Sequence, residues 1–301
     1  MMKQLVFVHG RSQEHKDSIA LKCEWIAAFR EGLAKNDLDL PIREDDIRFP
    51  YYGQTLYDLV SDVAPDQVAD VIVRGENADE QERAFMRAVI QEIKNKGVVS
   101  DAQVAAVRSQ SVVEKSPSNW EWVHGILKAI DTHVPLASGT SIALGTNDVY
   151  HYLFNIGIRD AIESGVRGAM LAGTPTVVVG HSLGTVVSYN LLRREGRSNG
   201  WQVPLFVTLG SPLAVKAIKK RLSPISHPDC VRTPEGKPGE WYNAMDERDL
   251  VALYPLDEAN FPITPSIKNK TDVDNHTTNR HGIAGYLNDK EVAKRIYDAL
   301  L

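Results

Sequence analysis

The sequence predicts an α/β fold with a mostly parallel sheet covered by helices on both faces. Two observations carry this: short β-branched runs return along the chain, and amphipathic helical patterns separate them. The first strand is expected at about residues 4–8, where Leu5, Val6, Phe7 and Val8 form an unbroken apolar run. Ile26, Phe29 and Leu33 then mark one face of a helix at i, i+3, i+7. Asp46-Ile47-Arg48-Phe49 before Pro50 predicts a second short strand. Between about Gly53 and Gly145 strand signals vanish. Met86, Val89, Ile90 and Ile93 fall on one helical stripe, and Val123, Ile126, Leu127 and Ile130 on another. Strands resume at Thr176–Val179 and Leu205–Thr208, with Leu183, Val186, Val187 and Leu191 forming a helical face between them. Pro224–Glu240, rich in Pro, Gly and charge, reads as a long loop. Trp241–Met245 is a further strand candidate and Ser266–Val273 a weaker one. Val292, Ile296 and Ala299 place a terminal helix after Asn288-Asp289. No internal repeat is present.

At 301 residues the chain has room for two domains or one large α/β unit with an insertion. The pattern favours the second: a core of residues 1–53 and 147–301 interrupted by a helical segment, 54–146. The amphipathic helices of that segment cover a pocket as a lid or simply pack onto the core, and Asp148, Tyr150 and Tyr152 begin the helix expected after it. Composition excludes several classes. With 34 basic and 39 acidic residues and a formal charge of −5, the chain lacks the electrostatic footprint of a nucleic-acid binder. Cys23 and Cys230 have no metal-site or disulfide spacing, so no metal is expected and a reducing, cytoplasmic setting is. The early apolar run is too short for a signal-peptide core or a membrane span.

Chemistry is concentrated at Gly180-His181-Ser182-Leu183-Gly184, a G-x-S-x-G match. Three fixed positions recur by chance in roughly one chain in ten of this size, so the motif alone is weak. Its setting strengthens it, because a β-branched strand runs into it and an amphipathic helix runs out. That is the strand–turn–helix context of a nucleophile elbow, where flanking glycines permit a tight turn that exposes the serine oxygen. A phosphate-binding helix start fits poorly, since there is neither G-x-G-x-x-G nor a Walker lysine. A serine hydroxyl also needs a base within hydrogen-bond reach, for which the chain offers nine histidines.

These pieces, together with Val6-Phe7-Val8-His9-Gly10, Thr208-Leu209-Gly210-Ser211-Pro212-Leu213, Asp249-Leu250-Val251 and His281-Gly282-Ile283-Ala284-Gly285-Tyr286-Leu287, resemble the α/β-hydrolase superfamily, in particular its lipase-like and esterase-like members. The likeness spans nearly the whole chain outside the helical insert. It implies an α/β-hydrolase fold of about six strands with an inserted helical cap. It also implies a triad in the order serine, acid, histidine: Ser182 as nucleophile, His281 as base, and Asp249 as the acid that orients it. His276 is the alternative base and Asp246 the alternative acid. The resemblance gives the backbone amides of Leu183 and Arg11 as oxyanion donors, and the Arg11 side chain either faces an anionic substrate group or is solvated. His181 is expected to serve neighbouring loops, and Ser211 to be structural.

The implied activity is hydrolysis of a carboxylic ester, small or lipid, without a cofactor. Amide or peptide hydrolysis on the same triad, or a silent binding protein that kept the fold, are the alternatives. Neither an integral membrane segment nor a nucleic-acid partner is expected.

Overall fold

A computed structural model describes residues 3–10, 17–52, 72–73, 78–107 and 120–301. Strand β1 (Gln4–Val8) leads to helix α1 (Ser18–Ala34), which Asp17 caps by accepting from the Ile19 and Ala20 amides at 2.9 and 2.8 Å. A 3₁₀ turn at Glu44–Asp46 precedes β2 (Ile47–Arg48), which is shorter than the Asp46–Phe49 run suggests. Helices α2 (Glu80–Asn95), α3 (Asp101–Ala106), α4 (Trp120–His133), α5 (Gly139–Phe154) and α6 (Ile156–Ala169) follow. The α5 helix runs unbroken across residue 147, where the insert was expected to end. Asp148, Tyr150 and Tyr152 therefore lie within a helix rather than at its start.

The second half holds the predicted strands, the helix after Ser182 and the terminal helix, with α8 and α9 in addition: β3 (Thr176–His181), α7 (Leu183–Glu195), β4 (Leu205–Leu209), α8 (Lys216–Leu222), β5 (Glu240–Ala244), β6 (Lys268–Lys270), α9 (Ile283–Leu287) and α10 (Lys290–Leu300). All six strands are parallel, in the order β2-β1-β3-β4-β5-β6.

The period-two alternation of the strands divides the core into two layers. Leu5, Phe7, Val177, Val179, Val207 and Leu209 pack with Trp25 and Phe29 of α1 and with Val292 and Ile296 of α10. Their neighbours Val6, Val8, Val178 and Phe206 join the opposite cluster, with Met86 of α2, Ile126 of α4, Ala143 of α5 and Val186 of α7. Burial on both faces explains why β1, β3 and β4 are near-continuous apolar runs.

The connections leave β1 toward β2 on one side and β3 on the other. This is a topological switch point, and in open parallel sheets the crevice beyond the strands' carboxyl ends at such a point is where ligands bind. His9-Gly10 follows β1 there, Ser182 follows β3, Ser211 follows β4 and Asp246 and Asp249 follow β5. Among the described residues no helix is long and apolar enough to cross a membrane.

Candidate active site

Ser182 occupies the turn between β3 and α7 with φ 54° and ψ −125°, a region that residues with a Cβ rarely adopt. The turn is held from several sides. The Ser182 amide donates to the Leu209 carbonyl at 3.1 Å, and the Ser182 carbonyl accepts from the Thr185 amide and hydroxyl at 2.9 and 2.7 Å. Gly184 presses against the backbone of Val8 and His9, so that any side chain there would collide with β1. A Cβ on Gly10 would lie only 2.7 Å from the Ser182 Cβ. The loop after β1 and the serine turn are thus in direct contact, and both positions require glycine.

Ser211 is taken up structurally. Because Thr185 spends its proton on the Ser182 carbonyl, the 2.8 Å contact between the two hydroxyls is donated by Ser211, which also accepts from the Leu213 amide at 3.3 Å. Its role is to brace the serine turn, as expected.

The base and acid meet from distant parts of the chain. His281, in the loop before α9, donates from Nδ1 to Asp249 Oδ2 at 2.7 Å. With the Nδ1 proton held there, Nε2 is the basic nitrogen of the ring. Asp249 is buried and fully engaged. Its Oδ2 also accepts from the Tyr286 hydroxyl at 2.6 Å, and its Oδ1 from the Val251 amide at 2.9 Å. The Tyr286 hydroxyl in turn accepts from the Asp246 amide at 3.3 Å. Burial, then the Asp249 charge, raise the Tyr286 hydroxyl well above the ordinary tyrosine range, which keeps it a donor.

Asp246, the alternative acid, faces elsewhere. Both of its oxygens bond the Arg248 guanidinium at 2.8 Å, Oδ1 also accepts the Arg248 amide and Oδ2 the Asn275 amide. Burial works against its charge, but these donors prevail and hold the carboxyl below the usual range. His276 makes no bond to either aspartate.

His181 clasps the loop that carries the base, donating from Nε2 to the His281 carbonyl at 2.7 Å. His9 does similar work on the other side: Nδ1 donates to the Gly10 carbonyl at 2.7 Å, Nε2 accepts from the Tyr52 amide at 3.0 Å, and the Tyr52 hydroxyl bonds the His9 carbonyl. Those partners define a neutral ring. Burial pushes its pKa down to about 4, and burial and the neighbouring His281 lower His181 well below its ordinary value.

A cavity of about 310 Å³ lies over these groups, lined by Ser182, His281, Asp249 and His181 and walled by Ser138, Ser141 and Ile142 of the α5 segment. Leu183, first residue of α7, contributes an amide that the helix leaves without an acceptor. Arg11, the other expected oxyanion donor, lies outside the described residues. Asp148, Tyr150 and Tyr152 do not line this cavity; Tyr152 instead donates to the buried Glu163 at 2.7 Å. Tyr286 and Arg248 carry roles that the motif reading did not assign, although Tyr286 lies within the His281–Leu287 segment it singled out. No protein-family model, curated protein or solved structure matches the chain.

Proposed function

We propose that the chain is a serine hydrolase of α/β-hydrolase fold that cleaves a carboxylic ester through an acyl-enzyme on Ser182. The observation that carries this reading is the 2.7 Å Asp249–His281 bond on a ring that lines the same cavity as a serine held at positive φ. The strand order supports it, since nucleophile, acid and base follow β3, β5 and β6 at the carboxyl edge of one parallel sheet. The cytoplasmic setting rests on the free thiols of Cys23 and Cys230.

In this mechanism the Ser182 Oγ attacks the ester carbonyl carbon while its proton passes to His281 Nε2. Asp249 stabilises the imidazolium that results. The carbonyl oxygen becomes an oxyanion, for which the Leu183 amide is a preorganised donor. Collapse breaks the bond to the alkoxy oxygen, which takes the proton from Nε2 and leaves as the alcohol. Water then attacks the acyl-enzyme, giving its proton to Nε2. Collapse of the second intermediate frees the carboxylic acid and returns the proton to Ser182.

A fluorophosphonate probe with mass-spectrometric mapping tests the assignment. Labelling is expected at Ser182, abolished in Ser182→Ala together with ester turnover, and retained in Ser211→Ala. Labelling that survives in Ser182→Ala, or its absence from the wild-type chain, would refute it.

A further inference from the structure

Beside the main cavity is a second, narrower space of about 30 Å³ that also reaches Ser182. Its walls are Val89 and Ile93 of α2, Val149 of α5, Val215 and Ile218 at α8, and Leu253. Apart from Ser182 the one hydroxyl among its described lining residues is that of Thr146, which is spent on the Ile142 carbonyl at 2.7 Å. The side chains of the described lining therefore offer a substrate an aliphatic surface and, Ser182 aside, no free hydroxyl. The two spaces share Ser182, Ile142, Gly145, Leu250 and Val251, whereas His281 and Asp249 line the large cavity alone.

That division orients the ester. The leaving oxygen must receive its proton from His281, so the alcohol portion lies in the large cavity on the histidine's side. The acyl chain extends to the other side of Ser182. We propose, resting on the serine-hydrolase reading, that the slot between α2, α5 and α8 is the acyl site and that it selects short aliphatic acyl groups. The size follows from the volume: a water-sized group needs about 10–15 Å³ of such space, so roughly two or three heavy atoms fit beyond the carbonyl carbon. Propanoyl and butanoyl esters match this. Longer chains must displace side chains that are almost wholly buried, such as Ile218 and Val89, at 2% and 5% exposure.

The large cavity has a different character. Ser138, Ser141, Thr277 and Asn279 bring polar side chains to its lining, and at ten times the slot's volume it admits a bulky, polar alcohol. The substrate class is thus a short-chain acyl ester of a larger polar alcohol rather than a long-chain lipid ester.

The test is kcat/KM of the 301-residue chain for p-nitrophenyl acetate, propanoate, butanoate, hexanoate and octanoate, with fluorophosphonate labelling of the same preparations. The expected profile peaks at propanoate or butanoate and falls at least tenfold by octanoate. Ile218→Ala and, independently, Val89→Ala should move the peak to hexanoate or beyond, and Ile283→Ala in the large cavity should leave it in place. A wild-type profile that rises or stays level to octanoate overturns the acyl site while labelled Ser182 leaves the hydrolase reading standing. So does an unmoved peak in whichever slot variants fold. Loss of both labelling and turnover in the wild-type chain overturns the two together.

Discussion

Ser182 stands where backbone geometry favours glycine, and the stability of two variants should reveal it. At φ 54° and ψ −125° a residue with a Cβ carries strain on the order of 1–3 kcal/mol. Glycine relieves that strain but loses about 0.5–1 kcal/mol more conformational entropy on folding. Little else changes, because the Ser182 side chain makes no capping bond to α7, and its amide and carbonyl bonds to Leu209 and Thr185 belong to the backbone. Ser182→Gly should therefore gain roughly 1 kcal/mol, which for a chain of this size raises Tm by about 1–2 °C. Ser182→Ala keeps the Cβ and the strain, so its Tm should stay within about 1 °C of the wild type. Both variants lack the nucleophile and are equally inactive, so differences in melting isolate the backbone term. At an unstrained helix start, replacing serine by glycine lowers stability by a few tenths of a kcal/mol. Calorimetric melts that place the glycine variant at or below the alanine variant would refute the claim that this turn stores strain.

Three further outcomes follow from the same geometry. Asp249→Asn should reduce ester turnover by about 10⁴-fold, the magnitude found when the acid of a serine triad is neutralised; Asp246→Asn should leave turnover within about tenfold but lower Tm, because it strips the charge facing Arg248, and steady-state kinetics with thermal melts on both variants checks the contrast. Replacing 54–146 with a Gly/Ser linker should give an aggregated or unfolded chain by circular dichroism and gel filtration, because Met86, Ile126 and Ala143 belong to the apolar cluster that covers Val6 and Val178. Stability should also fall as pH drops from about 6.5 toward 4: the unfolded chain protonates His9 near the ordinary histidine value of about 6.5, while the folded chain resists until about 4, so the contribution is complete above 6.5 and about 3 kcal/mol is lost on the way down. His181, lowered in the same direction, adds to that slope, and urea titrations between pH 7 and 4 that show a flat stability would contradict it.

The parts of the fold that were legible are those whose surroundings are the same on both sides. β1, β3 and β4 are covered by helices above and below, so an apolar run is the only composition that suits them. The edge strand β6 reads Lys268-Asn269-Lys270, a polar triplet, so only the weak signal of the wider Ser266–Val273 stretch announced it. Its polarity is what an edge requires. α6 has a narrow apolar stripe, Ile158, Ile162 and Val166, and beside it the buried Glu163, whose carboxylate Arg194 and Tyr152 satisfy through space and whose burial the sequence does not announce. The Ser182 turn was readable because its requirements are local: a strand, two glycines and a helix start within a few residues. His281 and Asp249 are 32 residues apart, and only their order along the chain pointed to a pair.

The choice between Asp246 and Asp249 shows where local pattern stops being informative. Both follow β5 within five residues, both are buried at 1% exposure, and composition gives neither an advantage. What separates them is Arg248. Its guanidinium takes both oxygens of Asp246 and reaches on to Asp274 at 2.7 Å, while Arg280 comes within 3.9 Å of the same carboxylate. A carboxylate already neutralised by arginine has little charge left to stabilise a developing imidazolium. Besides the imidazole itself, Asp249 accepts from uncharged donors, the Tyr286 hydroxyl and the Val251 and Ala252 amides. Those bonds fix its orientation without cancelling its charge, so its field remains directed at the ring. The division of labour follows: Asp246 and Arg248 anchor the turn to the Asn275 loop, and the Asp246 amide positions Tyr286. Tyr286 then holds the carboxylate that orients the base. The arginine between the two aspartates thus sets which one is available to His281, a selection made by side-chain packing that no spacing rule encodes.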